Sequence, residues 1–147
     1  MVKSTIVQLA NGLHEASIVV YEMPEACSVP VLSGVERAED EFDQTGFILY
    51  DAARLLATFL LAQSPSSPEH SRALELGAGC VGLGGIVLAK NNWKVTLTDV
   101  PEMIEALKLT VNRNASNSLV LPLMWGDEAA AREIGPAFDL VIASDVV

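Results

Sequence analysis

Positive charge is scarce in this sequence: nine Lys and Arg stand against nineteen Asp and Glu, a formal net charge of −10. Nucleic-acid binding draws most of its affinity from Lys and Arg at phosphates, so no nucleic-acid partner is expected. Cysteine is equally sparse. Cys27 and Cys80 are too few for a disulfide framework, which points to a reducing compartment, and Cys27 has no Cys or His at ligand spacing, so no metal site is expected. No apolar run approaches the roughly 18 residues of a membrane span. The opening Met1-Val2-Lys3-Ser4-Thr5-Ile6 lacks the basic-then-apolar pattern of a signal peptide. His14 and His70 stand outside every motif and read as surface residues.

What is present is a globular composition. The chain has 147 residues, 50% of them hydrophobic, enough for one domain with a sizeable core. The expectation is a soluble intracellular protein, cytoplasmic or also nuclear, with no membrane partner. The acid surplus either steers a basic partner, such as a lysine-bearing protein, or only aids solubility.

Residues 5–21 alternate imperfectly and are rich in Ile and Val around Asn11-Gly12, a hairpin signal. A polar stretch with Pro24 and Pro30 follows, then an acidic run over 36–43 that reads as a solvated loop. Over 51–63, Leu55, Leu56, Phe59 and Leu60 recur at helical spacing, and Ser64-Pro65-Ser66-Ser67-Pro68 stops that helix. Beyond it strands and helices alternate: strand 73–76, helix 81–90, strand 95–98, helix 101–112, and strands 119–123 and 138–143. The helix over 101–112 has Pro101 in its first turn and Met103, Leu107 and Val111 on one stripe, with Asn112 and Asn114 ending it. Such alternation predicts an α/β fold, a Rossmann-like, doubly wound and mostly parallel sheet. The domain division expected is a β extension and acidic loop over 1–44 and a cofactor-binding unit over 45–147.

Leu74-Glu75-Leu76-Gly77-Ala78-Gly79-Cys80-Val81-Gly82 follows a strand and opens a helix, the context that a glycine-rich nucleotide loop requires. Glycine at 77 and 79 permits a tight turn and close backbone approach to a ligand. Twenty residues past Gly79, at the end of the next strand, Asp99 can accept both ribose hydroxyls of a nucleoside. The competing reading, glycines that merely pack helix on strand, leaves Glu75 and Asp99 unexplained. Between a dinucleotide and S-adenosylmethionine, Glu75 favours the latter, because a carboxylate beside the loop suits a cationic cofactor and repels a pyrophosphate. Val81 puts a β-branched side chain in the turn, which also fits a pyrophosphate poorly. Cys80 lies in the loop with no base partner suggested.

From Thr45 onward, about 100 residues, the chain resembles the methyltransferase-16 family of seven-strand protein-lysine methyltransferases. The resemblance rests on Gly46-Phe47-Ile48-Leu49-Tyr50-Asp51-Ala52-Ala53, Glu75-Leu76-Gly77-Ala78-Gly79, Val95-Thr96-Leu97-Thr98-Asp99, Leu123-Met124-Trp125-Gly126-Asp127 and the run from Phe138 to Val147. It implies a methyl transfer from S-adenosylmethionine to a protein lysine. Glu75, Gly77, Gly79 and Asp99 would bind the cofactor, Tyr50 and Trp125 would flank the adenosine, Ala143 would also touch the cofactor, and Asp145 would orient the substrate amine as the catalytic carboxylate. Three departures stand out: Tyr50 where the family has Trp, Val81 where it has Gly or Ser, and an end at Val147 where a family Tyr would follow. The last leads to the expectation of a C-terminally truncated chain, with a non-catalytic cofactor-binding or partner-binding module as the alternative. An NAD-dependent oxidoreductase is the less favoured third reading.

Overall fold

The computed structural model describes residues 3–10, 15–22, 46, 49–63, 71–115, 117–135 and 137–146. The Asn11-Gly12 turn, Pro24, Cys27, Pro30, the acidic run, Phe47, Ile48, the Ser-Pro stretch, His14 and His70 lie outside these residues.

β1 (Lys3–Ala10) and β2 (Glu15–Glu22) pair antiparallel, with Ala10 opposite Glu15. Four further strands form a parallel sheet: β3 (Arg72–Leu76), β4 (Lys94–Asp99), β5 (Leu119–Pro122) and β6 (Leu140–Ala143), in the order β5-β4-β3-β6. The chain moves outward from β3 to β5, then crosses back to lay β6 on the other side of β3. That reversal opens a crevice at the carboxyl ends of β3 and β6, the place where open α/β sheets bind ligands. The expected Rossmann-like α/β arrangement is thus present.

Helix α1 (Asp51–Gln63) precedes β3, α2 (Leu83–Lys90) links β3 to β4, and α3 (Ile104–Asn114) links β4 to β5. Every residue of α2 from Leu83 to Leu88 is buried, because the helix is enclosed by the sheet, α1 and β2. A helix that is apolar all round requires such enclosure. The hairpin joins the same core: β2 packs on α3 and β1 on α1, and Val7 and Ile18 are buried in one cluster with Leu61, Ile86 and Leu107. Among the described residues, no helix is long and apolar enough to cross a membrane.

Several local expectations change. The helix expected over 81–90 begins at Leu83, because Gly82 holds a left-handed backbone (φ 56°) that breaks the helical run. The helix over 101–112 starts as a 3-10 turn (Pro101–Met103) and continues through Asn114. Asn112 and Asn114 therefore lie within α3 rather than after it, and the Asn114 side-chain amide donates back to the Thr110 carbonyl at 2.7 Å. Met103, Leu107 and Val111 are all buried, as their stripe predicts. On α1 the core side is Ala57, Leu60 and Leu61, whereas Leu55 and Phe59 are 71% and 59% exposed. The last strand is shorter than 138–143, since Asp139 spends its groups on the start of β3: its carboxylate accepts the Arg72 N–H and its own N–H donates to the Arg72 carbonyl. A short helix, α4 (Glu128–Glu133), follows Asp127, whose carboxylate caps it by accepting the Ala130 N–H at 3.0 Å. Its six residues carry too short an apolar pattern to be seen in advance.

Candidate active site

Between β3 and α2 the chain passes three times through left-handed backbone, at Gly77 (φ 61°), Gly79 (φ 61°) and Gly82 (φ 56°), and the first two line the cavity described below. A side chain at either position would be strained and obstructed. A Cβ on Gly77 would meet the Val146 side chain at 2.7 Å, and one on Gly79 would meet the Gly46 carbonyl oxygen at 3.0 Å. The loop is held in this shape by its own backbone. The Ala78 N–H donates to the Thr98 carbonyl (3.0 Å), and the Cys80 N–H donates to the Gly46 carbonyl (2.8 Å). From α3, the buried Thr110 hydroxyl donates to the Cys80 carbonyl at 2.9 Å. Cys80 itself is buried.

Asp99 closes the arrangement. Its carboxylate accepts the Gly79 N–H at 2.7 Å and the Val100 N–H at 2.7 Å, so the end of β4 is pinned to the glycine loop. Burial raises the Asp99 pKa, and these two N–H donors pull it back.

The loop, β4 and the residues after β6 enclose a cavity of about 530 Å³. That size suits a small cofactor. Glu75, Gly77, Gly79 and Asp99 line it, and so do Tyr50, Trp125 and Asp145. Tyr50 and Trp125 are 39% and 60% exposed, so their rings present free faces. Asp145 holds a left-handed backbone (φ 50°), a conformation that Asp tolerates better than most residues and that often marks functional turns. Val81 is buried and forms part of the wall.

Two sequence expectations need correction. Ala143 does not line the cavity; Ser144, Asp145 and Val146 do. Strand alternation is the reason: Ile142 points to the α2 side, against the position a Gly84 Cβ would take, so its neighbour Ala143 points to the opposite face of the sheet. Glu75 is not an open carboxylate beside the loop either. It is 4% exposed, and its carboxylate lies under the amino end of α2, where it accepts the Gly85 N–H at 2.9 Å. Burial pushes its pKa up to about 7, against the pull of the Gly85 and Gly84 N–H groups, and the negative charge of Asp99 adds to the rise.

The cavity also uses residues to which the sequence assigns no site role, among them Gly46, Leu49, Val100, Met103, Ser144 and Val146. Gly46 was within reach, since it opens the segment before α1; nothing local marks Val146, which reaches Gly77 only through the tertiary fold.

The sequence model of the lysine methyltransferase family matches residues 33–147. Among curated proteins, the chain is similar to protein N-lysine methyltransferase METTL21A of Mus musculus, 34% identical over 105 residues, which cover 68% of this chain and 47% of that protein. It is also similar to histone-arginine methyltransferase METTL23 of Rattus norvegicus, 34% identical over 107 residues, 70% of this chain and 47% of that protein. EEF1A lysine methyltransferase 3 of Mus musculus is 31% identical over 103 residues, 67% of this chain and 42% of that protein. The chain spans about half the length of these relatives.

Proposed function

The chain belongs to the lysine methyltransferase family, and from that membership we propose that it holds S-adenosylmethionine in the cavity at the end of β3 and directs the methyl group to a lysine side chain of a protein. One observation carries the choice of cofactor. In a dinucleotide site the amino end of the helix after the glycine loop receives the pyrophosphate. Here Glu75 already takes the Gly85 N–H at that end, and Asp99 adds a second carboxylate to the wall. A pyrophosphate would meet the Asp99 carboxylate and a helix end whose Gly85 N–H is already taken, whereas a cationic ligand meets acids that can balance its charge.

The residues fit such a cofactor part by part. Gly77 and Gly79 line the cavity, and neither sets a side chain between its backbone and a ligand there. Asp99 keeps lone pairs beyond the two N–H bonds it accepts and can receive ribose hydroxyls. Tyr50 and Trp125 offer exposed rings to the adenine. Asp145, at the rim where β6 ends, can accept an N–H of the incoming amine and hold its lone pair toward the cavity. S-Adenosylmethionine supplies a methyl carbon already activated by the sulfonium. The chain's own residues then contribute orientation and exclusion of water.

Relatives act, by their names, on lysine in two cases and on histone arginine in a third. Lysine is the proposal here because the family matched is the lysine methyltransferase family. The test is calorimetric and then chemical. S-Adenosylmethionine should bind at micromolar level and NAD not detectably, and mass spectrometry of protein mixtures treated with methyl-labelled cofactor should place the label on lysine. Tighter binding of NAD, or label confined to arginine, would overturn the corresponding half of the proposal.

A further inference from the structure

Glu75 is the one ionisable side chain of this cavity wall that is buried under a helix end. Its carboxylate fits there because α2 opens on Gly84 and Gly85: a Cβ on Gly84 would stand 3.0 Å from one Glu75 oxygen, and a Cβ on Gly85 2.7 Å from the other. Apolar side chains share that space. Leu56 of α1 and Ile142 of β6 also approach the Gly84 position, and Leu97 of β4 approaches the Gly85 position. From β4 the charged group that acts on it is Asp99; α2 offers backbone N–H groups; Asp145, past β6, faces the same cavity from the rim. Glu75 thus sits between a dry interior and a site proposed to take a cation.

Resting on the S-adenosylmethionine reading, we propose that Glu75 is a proton-linked positioning residue: it is neutral in the empty site, releases its proton to solvent when a positively charged ligand enters, and as a carboxylate tightens the amino end of α2 beneath the glycine loop. The physical reasoning is linkage. A carboxyl group in an apolar enclosure next to another acid holds its proton, and its pKa of about 7 expresses this. A cation in the cavity stabilises the ionised form, so ligand binding and proton release are coupled, and each drives the other. The ionised group is also the better acceptor for the Gly85 N–H, since hydrogen bonds to charged acceptors are stronger. Cofactor affinity should therefore rise with pH up to about neutrality and level off above it, and a neutral ligand should not share this dependence.

The direct test is a carboxyl NMR titration of the wild-type chain with carbon-13-labelled glutamate, from pH 5 to 8.5, with the Gly77 and Gly79 amide signals reporting occupancy. The expected result is a Glu75 carboxyl titrating near neutrality in the free protein and at least about one unit lower when S-adenosylmethionine is bound, a tenfold or larger loss of proton affinity. Adenosine, which is neutral and brought to occupancy by the same amide signals, should leave the titration in place. Calorimetry adds a second arm. From pH 6 to 8, S-adenosylmethionine affinity of wild type should gain about five- to tenfold over that of E75Q, in which the cofactor's own amine titrates identically. Occupancy by S-adenosylmethionine with an unmoved Glu75 signal, or an equal shift with adenosine, overturns the inference and leaves the cofactor reading standing. Absence of S-adenosylmethionine binding at every pH removes both.

Discussion

The Asp99 carboxylate accepts the backbone N–H of Gly79 at 2.7 Å, joining the end of β4 to the loop that follows β3 across twenty residues of sequence. One side chain thereby shapes the loop and faces the cavity. Asp99→Ala should weaken S-adenosylmethionine binding by about 1–3 kcal/mol, the cost of losing a charge-assisted acceptor. Calorimetry on the folded variant checks this; unchanged affinity would move the ribose contact to another residue.

Glu75 makes stability depend on pH. Its pKa is about 7 in the folded chain against an ordinary 4.5, so the folded state holds the proton more tightly than the unfolded state. The sign follows: the contribution is full below pH 4.5, declines as pH rises, and is lost above about 7. The decline amounts to about 3 kcal/mol at most. Denaturant unfolding at a series of pH values should show wild type losing stability across this window relative to E75Q, which stays neutral throughout. Parallel curves for the two proteins would contradict the burial of a titrating Glu75.

Three glycines with left-handed backbone should separate by what surrounds them. A Cβ on Gly82 would meet Leu97 at 2.4 Å and Leu107 at 2.8 Å, both in the core, so Gly82→Ala should cost about 2 kcal/mol or more of stability. Gly77→Ala presses on Val146 at the cavity and should lower cofactor affinity at least as much as stability. Gly126 has nothing within 4 Å, so Gly126→Ala should cost only its backbone strain, about 1 kcal/mol. Thermal melts paired with calorimetry test the order. Equal stability losses at Gly82 and Gly126 would refute it.

Trp125 is 60% exposed and lines the cavity. Trp125→Ala should leave stability within about 0.5 kcal/mol of wild type, as surface changes do. If its ring carries the adenine, affinity for S-adenosylmethionine should fall by about 1–3 kcal/mol, the range for base–aromatic stacking. Tryptophan fluorescence should respond to the cofactor in wild type. A variant that binds as tightly as wild type would remove Trp125 from the site.

Much of this arrangement was determined by local pattern. The strand before Gly77, the turn through Gly79, α2, and Asp99 at the next strand end follow from apolar periodicity and glycine spacing, and α1 spans the expected 51–63. These features act within a few residues of themselves, so sequence carries them. What only the tertiary structure decided involves neighbours far apart in the chain. Which side of α1 is buried depends on α2 and β1 lying against it, since Leu55 and Leu56 are equally apolar. Ala143 faces away from the cavity because its register with Leu76 sets the pleat of β6. Val146 meets Gly77 because β6 returns beside β3. Glu75 reads in sequence as an acid free for a ligand, and becomes a buried one because the strand pleat turns it beneath α2, where two glycines leave it room. Charge can be read from the chain; desolvation belongs to the packed structure.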